Sequence, residues 1–163
     1  IHTAIMKTRQ NVNCTLHSHT RAGIAVSCMQ EGLMNLSQQS GEIQDKINYY
    51  DYHLLEDPNT AACARLGRDI GNKPLLIMRN HGLLSAANNI PEALYNLYVL
   101  ENACKIQVDV LRTGAELSVP PKSEWDKLAK INVSPTNDVA EHVNLFWTAL
   151  LRMLDRNGVN YSS

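Results

Sequence analysis

Thr15-Leu16-His17-Ser18-His19 is the stretch on which the fold turns. In an extended strand alternate side chains share a face, so His17 and His19 point the same way, about 6 to 7 Å apart. Two imidazoles so placed can reach one cation. The flanking residues keep strand parity: Val12, Cys14 and Leu16 suit a core, while Asn13, Thr15, His17 and His19 suit a polar cleft. The site face of this strand is therefore the polar one.

A histidine pair alone is a weak signal, because most such pairs are surface or hydrogen-bonded residues. A third ligand is found in Pro74-Leu75-Leu76-Ile77-Met78-Arg79-Asn80-His81-Gly82-Leu83-Leu84. The apolar run Leu75 to Met78 reads as a strand buried on both faces, and the polar Asn80-His81-Gly82 at its end breaks an otherwise apolar segment. Gly82 permits a bulge or a close backbone approach that turns His81 toward a neighbouring strand. His17, His19 and His81 together make an open site of the zinc type.

The size of the chain bounds what surrounds this site. Its 163 residues, 44% of them hydrophobic, read as a single domain over 1–163 with enough apolar material for a core. Fifteen basic against 16 acidic residues leave a net charge of -1, and no basic block occurs, so neither nucleic acid nor an anionic membrane surface is implied. Small molecules, or further copies of the chain, are the expected partners.

Cys14, Cys28, Cys63 and Cys104 form no C-x-x-C pair and read as reduced core residues. No apolar segment approaches the roughly 20 residues of a membrane span, and no signal-peptide pattern opens the chain, so a cytoplasmic protein is expected. The sequence opens at Ile1 without an initiator Met, close to the helical-looking Thr3-Ala4-Ile5-Met6. The N-terminal part of the domain is expected upstream.

Taken in order, residues 2 to 9 have helical spacing, with His2 structural, and Asn11-Val12-Asn13 turns into the first strand. From Thr20 to Glu31, Ala22, Ala25, Val26 and Met29 form one stripe, with Thr20 as cap and Gly32 as stop. Thr20 and Arg21, at that helix start beside the histidines, are candidates to support the site or an anionic substrate group. Residues 37 to 46 are polar and read as a loop.

Ile47 to Tyr52 is strand-like, its tyrosines packing residues with hydroxyls satisfied at the edge, and His53 reads as structural. Asp57-Pro58-Asn59-Thr60 opens a helix that Gly71 closes. Asn89 caps a long core helix with Pro91 in its first turn, ending before Gly114. A short helix over Ser123 to Lys130, a turn at Ser134 to Asn137 and a last amphipathic helix from about Asp138 to Arg156 complete the chain.

His17-Ser18-His19-Thr20 at a strand-to-helix junction, then Leu76-Ile77-Met78-Arg79-Asn80-His81-Gly82-Leu83, then Ile90-Pro91-Glu92-Ala93, resembles the class II aldolase and adducin family. The resemblance runs over most of the chain. Tyr50-Asp51-Tyr52-His53 and Ala149-Leu150-Leu151-Arg152-Met153-Leu154-Asp155 resemble its adducin-like branch rather than the sugar-phosphate aldolases. The resemblance implies an α/β fold, a three-layer α/β/α domain around a mostly antiparallel sheet, often a homotetramer with the site near a subunit interface.

It further implies that His17, His19 and His81 hold Zn2+ or another divalent transition metal. In the aldolases that ion polarises a hydroxy-carbonyl substrate and stabilises an enediolate. A glutamate a few residues before the position of His2 serves there as acid or base, so no catalytic residue is assigned within this chain. The loop in which sugar-phosphate aldolases carry a tyrosine here reads Leu36-Ser37-Gln38-Gln39-Ser40, without one.

Two functions follow. One is a zinc-dependent carbon-carbon lyase, or a related enolising enzyme, acting as a homo-oligomer on a small hydroxy-carbonyl compound, sugar phosphates being one candidate class. The other is a non-catalytic adducin-like domain for self-association and protein binding, its histidines inherited.

Overall fold

The computed structural model describes residues 1–51, 61–132 and 139–161, with side chains throughout except at 61–64 and 129–132. Tyr52, His53, the Asp57 to Thr60 helix opening, the Ser134 to Asn137 turn and the Cys63 side chain lie outside the described residues.

The chain runs through α1 (His2–Thr8), β1 (Cys14–Ser18), α2 (Arg21–Ser27), α3 (Gln38–Ile43), a 3-10 turn (Gln44–Lys46) and β2 (Ile47–Tyr50). It continues through α4 (Ala61–Ile70), β3 (Leu75–Met78), β4 (Gly82–Ala87), α5 (Ile90–Arg112), α6 (Lys122–Asn132) and α7 (Val139–Arg156). The strands form one sheet in the order β1-β4-β3-β2. β4 pairs antiparallel with both β1 and β3, while β2 runs parallel to β3. The sheet is thus mixed and mostly antiparallel.

Alternation along β3 and β4 builds the three layers. Leu75, Ile77 and Leu83 face a core shared with Ala22 and Val26 of α2 and Leu100, Ala103 and Cys104 of α5. Leu76, Met78, Leu84 and Ala86 face the opposite core, with Ala4 and Ile5 of α1 and Leu66 and Ile70 of α4. Every side chain of β3 is fully buried. Each such apolar residue contributes roughly 1.5–3 kcal/mol by leaving water. β1 is an edge strand, and all five of its residues are half-buried. Cys14 is accordingly not a core residue, and Cys28 is exposed; of the described cysteines, only Cys104 is buried as expected.

Several elements depart from the sequence reading, each for an identifiable reason. α2 ends at Ser27 rather than continuing to Glu31, and the Ser27 carbonyl, which the Glu31 amide would need in a longer helix, is taken by the β3–β4 turn. The Asn80 amide donates to the Ser27 carbonyl at 3.1 Å and the Arg79 guanidinium to the Met29 carbonyl at 2.6 Å. The supposed loop over 37 to 46 contains α3, started by a capping box in which Ser37 and Ser40 satisfy each other's backbone amides. Gly41 of α3 lets Trp125 of α6 pack directly on the helix. Leu75–Met78 is β3 as read, but the apolar segment after the Asn80-His81-Gly82 break, given no element by the sequence reading, is β4, which closes a tight hairpin with β3, with Asn80 in the left-handed region at φ 56°.

Asn89 does cap α5, accepting from the Glu92 amide at 2.9 Å. Among the described residues, no helix is long and apolar enough to cross a membrane.

Candidate metal centre

β1 and the β3–β4 hairpin bring the three sequence-predicted histidines together. His17 lies within β1, opposite Leu84 of β4, and His19 follows the last residue of that strand. His81 ends the hairpin turn, its amide donating to the Met78 carbonyl at 3.0 Å. The end of β1 can approach the start of β4 because Gly82 has no side chain. A Cβ there would be driven into the Ser18 carbonyl oxygen and would press the His19 ring.

The three Nε2 atoms form a small triangle. His17 and His19 are 2.8 Å apart, His17 and His81 3.2 Å, and His19 and His81 2.7 Å. The tautomer of His17 follows from its other nitrogen. Nδ1 lies 2.8 Å from the Leu83 carbonyl oxygen, which can only accept, so Nδ1 carries the proton and Nε2 presents a lone pair.

Burial holds His17 below its ordinary pKa, and His19 and His2 push the same way, against the Leu83 carbonyl, which favours the protonated ring. His81 is also lowered, first by burial and then by His17 and His19. Two of the three rings are thus biased toward the neutral form that a cation requires.

A ring of three convergent nitrogens is not a satisfied hydrogen-bond network, because three imidazoles cannot each both give and receive through a single Nε2. It is the donor set that zinc favours, with nitrogens about 2.0–2.1 Å from the ion and a fourth position open. Among the described residues, these histidines are the one group of three or more His, Cys, Asp or Glu side chains close enough together to share an ion.

The neighbours divide between support and bystander. His2 is exposed, its Nδ1 2.6 Å from the Thr15 hydroxyl on the site face of β1. Thr20 occupies the cap position of α2 but does not cap it; its hydroxyl instead donates to Glu101 Oε2 of α5 at 2.5 Å. Arg21 is exposed and lines a groove of about 600 Å³ between α2 and α5. Tyr49 and Tyr50 are packing residues: the Tyr49 hydroxyl accepts from the Leu33 amide, Arg79 stacks over its ring at 4.4 Å, and Tyr50 is buried.

Glu101 was not visible from sequence, where it is one of several charges along a long helix. The only signal for it is its place on the α5 face that packs on α2.

Comparison with known proteins agrees with the geometry. The sequence profile of the Class II Aldolase and Adducin N-terminal domain matches residues 1–108. The chain belongs to the class II aldolase and adducin family. A Pseudomonas aeruginosa protein, provisionally named a class 2 aldolase, is 38% identical over 99% of the chain and 62% of its own length. Mouse alpha-adducin is 38% identical over 70% of the chain but only 15% of its own length. The crystal structure of an aldolase II superfamily protein from Pseudomonas syringae superposes with a TM-score of 0.90 and 35% identity, covering 99% of this chain and 64% of that one. The chain thus spans about three-fifths of the length of such class II aldolase relatives.

Proposed function

We propose that this domain serves a metal-dependent carbon-carbon lyase of the class II aldolase type, acting on a small hydroxy-carbonyl compound, phosphorylated sugars included. The observation that carries the reading is the convergence of the His17, His19 and His81 Nε2 atoms within 3.2 Å of one another. A scaffold has no need of such a cluster. Zn2+ or another divalent transition metal held there would act as a Lewis acid toward the substrate carbonyl and hydroxyl oxygens.

The chain's own residues set up that chemistry. The Leu83 carbonyl fixes the His17 tautomer, burial lowers the pKa of His17 and His81 and so favours their neutral form, and Gly82 lets the two ligand-bearing segments meet. We place the protein in the cytoplasm, where its described cysteines would stay free thiols.

A second reading, a non-catalytic adducin-like domain for self-association and protein binding, is favoured by the similarity to alpha-adducin and by the tyrosine-free loop Leu36 to Ser40. Metal analysis of the full-length protein, with a cleavage screen over hydroxy-aldehydes and sugar phosphates, separates the two. Solvent deuterium exchange next to a bound carbonyl is the more forgiving assay, since it needs a base and a Lewis acid but no acceptor. One metal per chain with metal-dependent exchange or cleavage supports the lyase. Neither activity, with partner binding unchanged in His81→Ala, supports the adducin-like reading.

A further inference from the structure

The three histidines are fixed to different degrees by their own surroundings. His17 is held by strand pairing and by the Leu83 carbonyl, and His81 by the hairpin turn. His19 lies beyond the end of β1 and before the start of α2, and it is the exposed member of the three. Its position is set by the chain on either side. On one side that is Ser18, packed against Gly82; on the other it is Thr20.

The Thr20 hydroxyl bonds to Glu101, 81 residues away on α5. The Glu101 side chain is only 13% exposed and has Lys105 at 3.8 Å as a more distant partner. Gly23, one turn into α2, packs so closely on Leu83 and the Thr20 hydroxyl that the start of the helix has little room to shift. An acidic side chain set into the α2–α5 contact, spent on a threonine hydroxyl, is hard to explain by packing: an apolar residue would fill that place without the cost of desolvating a carboxylate.

We propose that Glu101 is a positioning residue of the histidine centre, anchoring Thr20 so that the His19 ring is held at the point where the other two nitrogens meet. This rests on the metal reading above. Glu101 does not touch the ion or the substrate. It acts through Thr20, in the way that outer hydrogen-bond partners tune metal affinity by 10- to 100-fold.

The test is zinc affinity of the full-length protein by competition with a chromophoric chelator, together with the visible spectrum of the cobalt-substituted form. Glu101→Ala and Thr20→Val are each expected to weaken zinc binding about 10- to 100-fold and to alter the cobalt spectrum. The double variant should be no worse than either single one, because both break the same link. Glu101→Gln keeps an acceptor and Thr20→Ser a hydroxyl, so each should restore most of the affinity.

Circular dichroism and the melting temperature of the zinc-free proteins show whether each variant folds. A merely structural role would lower the melting temperature and leave the cobalt spectrum of the folded fraction unchanged. That spectrum, wild-type zinc affinity in folded Glu101→Ala or Thr20→Val, or additive losses in the double variant would overturn the proposal. A wild-type protein that binds no zinc at all would instead overturn the metal reading beneath it.

Discussion

The Nδ1–H of His17 donates to the Leu83 carbonyl oxygen across the β1–β4 pairing at 2.8 Å, so the sheet itself decides which nitrogen of that ring faces the centre. A strand pairing that leaves a carbonyl beside a ligand does what a separate carboxylate does in many metal sites. Replacing His17 by Ala removes one of three donors and is expected to cut bound metal from one per chain to well under half, by elemental analysis after dialysis. Full occupancy in that variant would exclude His17 as a ligand.

Gly82→Ala is expected to be costly despite the smallness of the change. The added methyl meets the Ser18 backbone and the His19 ring, and neither can yield without separating β1 from β4. A loss of about 1–3 kcal/mol is expected from overpacking of this kind, read from urea unfolding, with weakened metal binding beside it. A variant of wild-type stability would show that the two strand ends are not tightly apposed.

Acid should act on the metal-free protein through His17 and His81. Both have folded pKa values below the ordinary 6.5, chiefly through burial, so below that pH the unfolded chain binds protons more readily than the folded one. Their contribution to stability is complete above 6.5 and is lost as the pH falls through their lowered folded values. The urea midpoint should therefore drop between pH 7.5 and 5.5, and drop less in His17→Gln. A midpoint that rises on acidification would contradict this.

The Cys104 thiol is pushed up to about 12, first by burial and then by the Glu101 charge. At pH 8 it should resist a disulfide reagent such as DTNB for as long as the fold persists, whereas the exposed Cys28 reacts at once. Because the folded pKa is raised above the ordinary 9.0, the stability linked to Cys104 is intact below pH 9 and declines as the pH climbs toward 12. Rapid modification of Cys104 in the native protein would mean that the α2–α5 core opens readily.

A closed homo-oligomer, with a tetramer as the family would suggest, is our proposal for assembly. Phe146 of α7 packs on Tyr95 and Tyr98 of α5, with ring centroids 5.4 and 5.0 Å apart, yet Leu145 and Met153 on the same helix stay exposed. A second copy would cover them. Sedimentation velocity at micromolar concentration should show a species larger than the monomer, and Leu145→Glu should shift it toward monomer. A wild-type protein that sediments only as monomer would rule this out.

The histidines were legible because residue type and strand period coincide at 17 and 19, and because Asn80-His81-Gly82 breaks an apolar run at one point. The hairpin itself was not read, because no local pattern tells that the apolar residues after Gly82 turn back to pair with β3. α3 was hidden by composition, since Gln38, Gln39 and Ser40 suggest a loop unless the Ser37 and Ser40 capping pair is recognised. The parallel pairing of β2 with β3 depends on where the chain travels between residues 51 and 75, which no local pattern records. Glu101 was invisible for a related reason: its role comes from a partner 81 positions earlier.

His17 and His81 are 64 positions apart, and they meet only when the edge strand has docked on the hairpin. The centre is thus a lock across the longest-range pairing in the sheet, and whatever His17 and His81 hold in common closes that loop as a covalent staple would. Loop closure on this scale is among the slower steps of folding, since its entropy is lost before the contacts that repay it are made. A chain that has formed β3, β4 and their hairpin but not yet gained β1 shows His81 alone. The complete triad is therefore a marker of finished topology, assembled only once β1 has docked on the hairpin rather than by any one segment of the sequence.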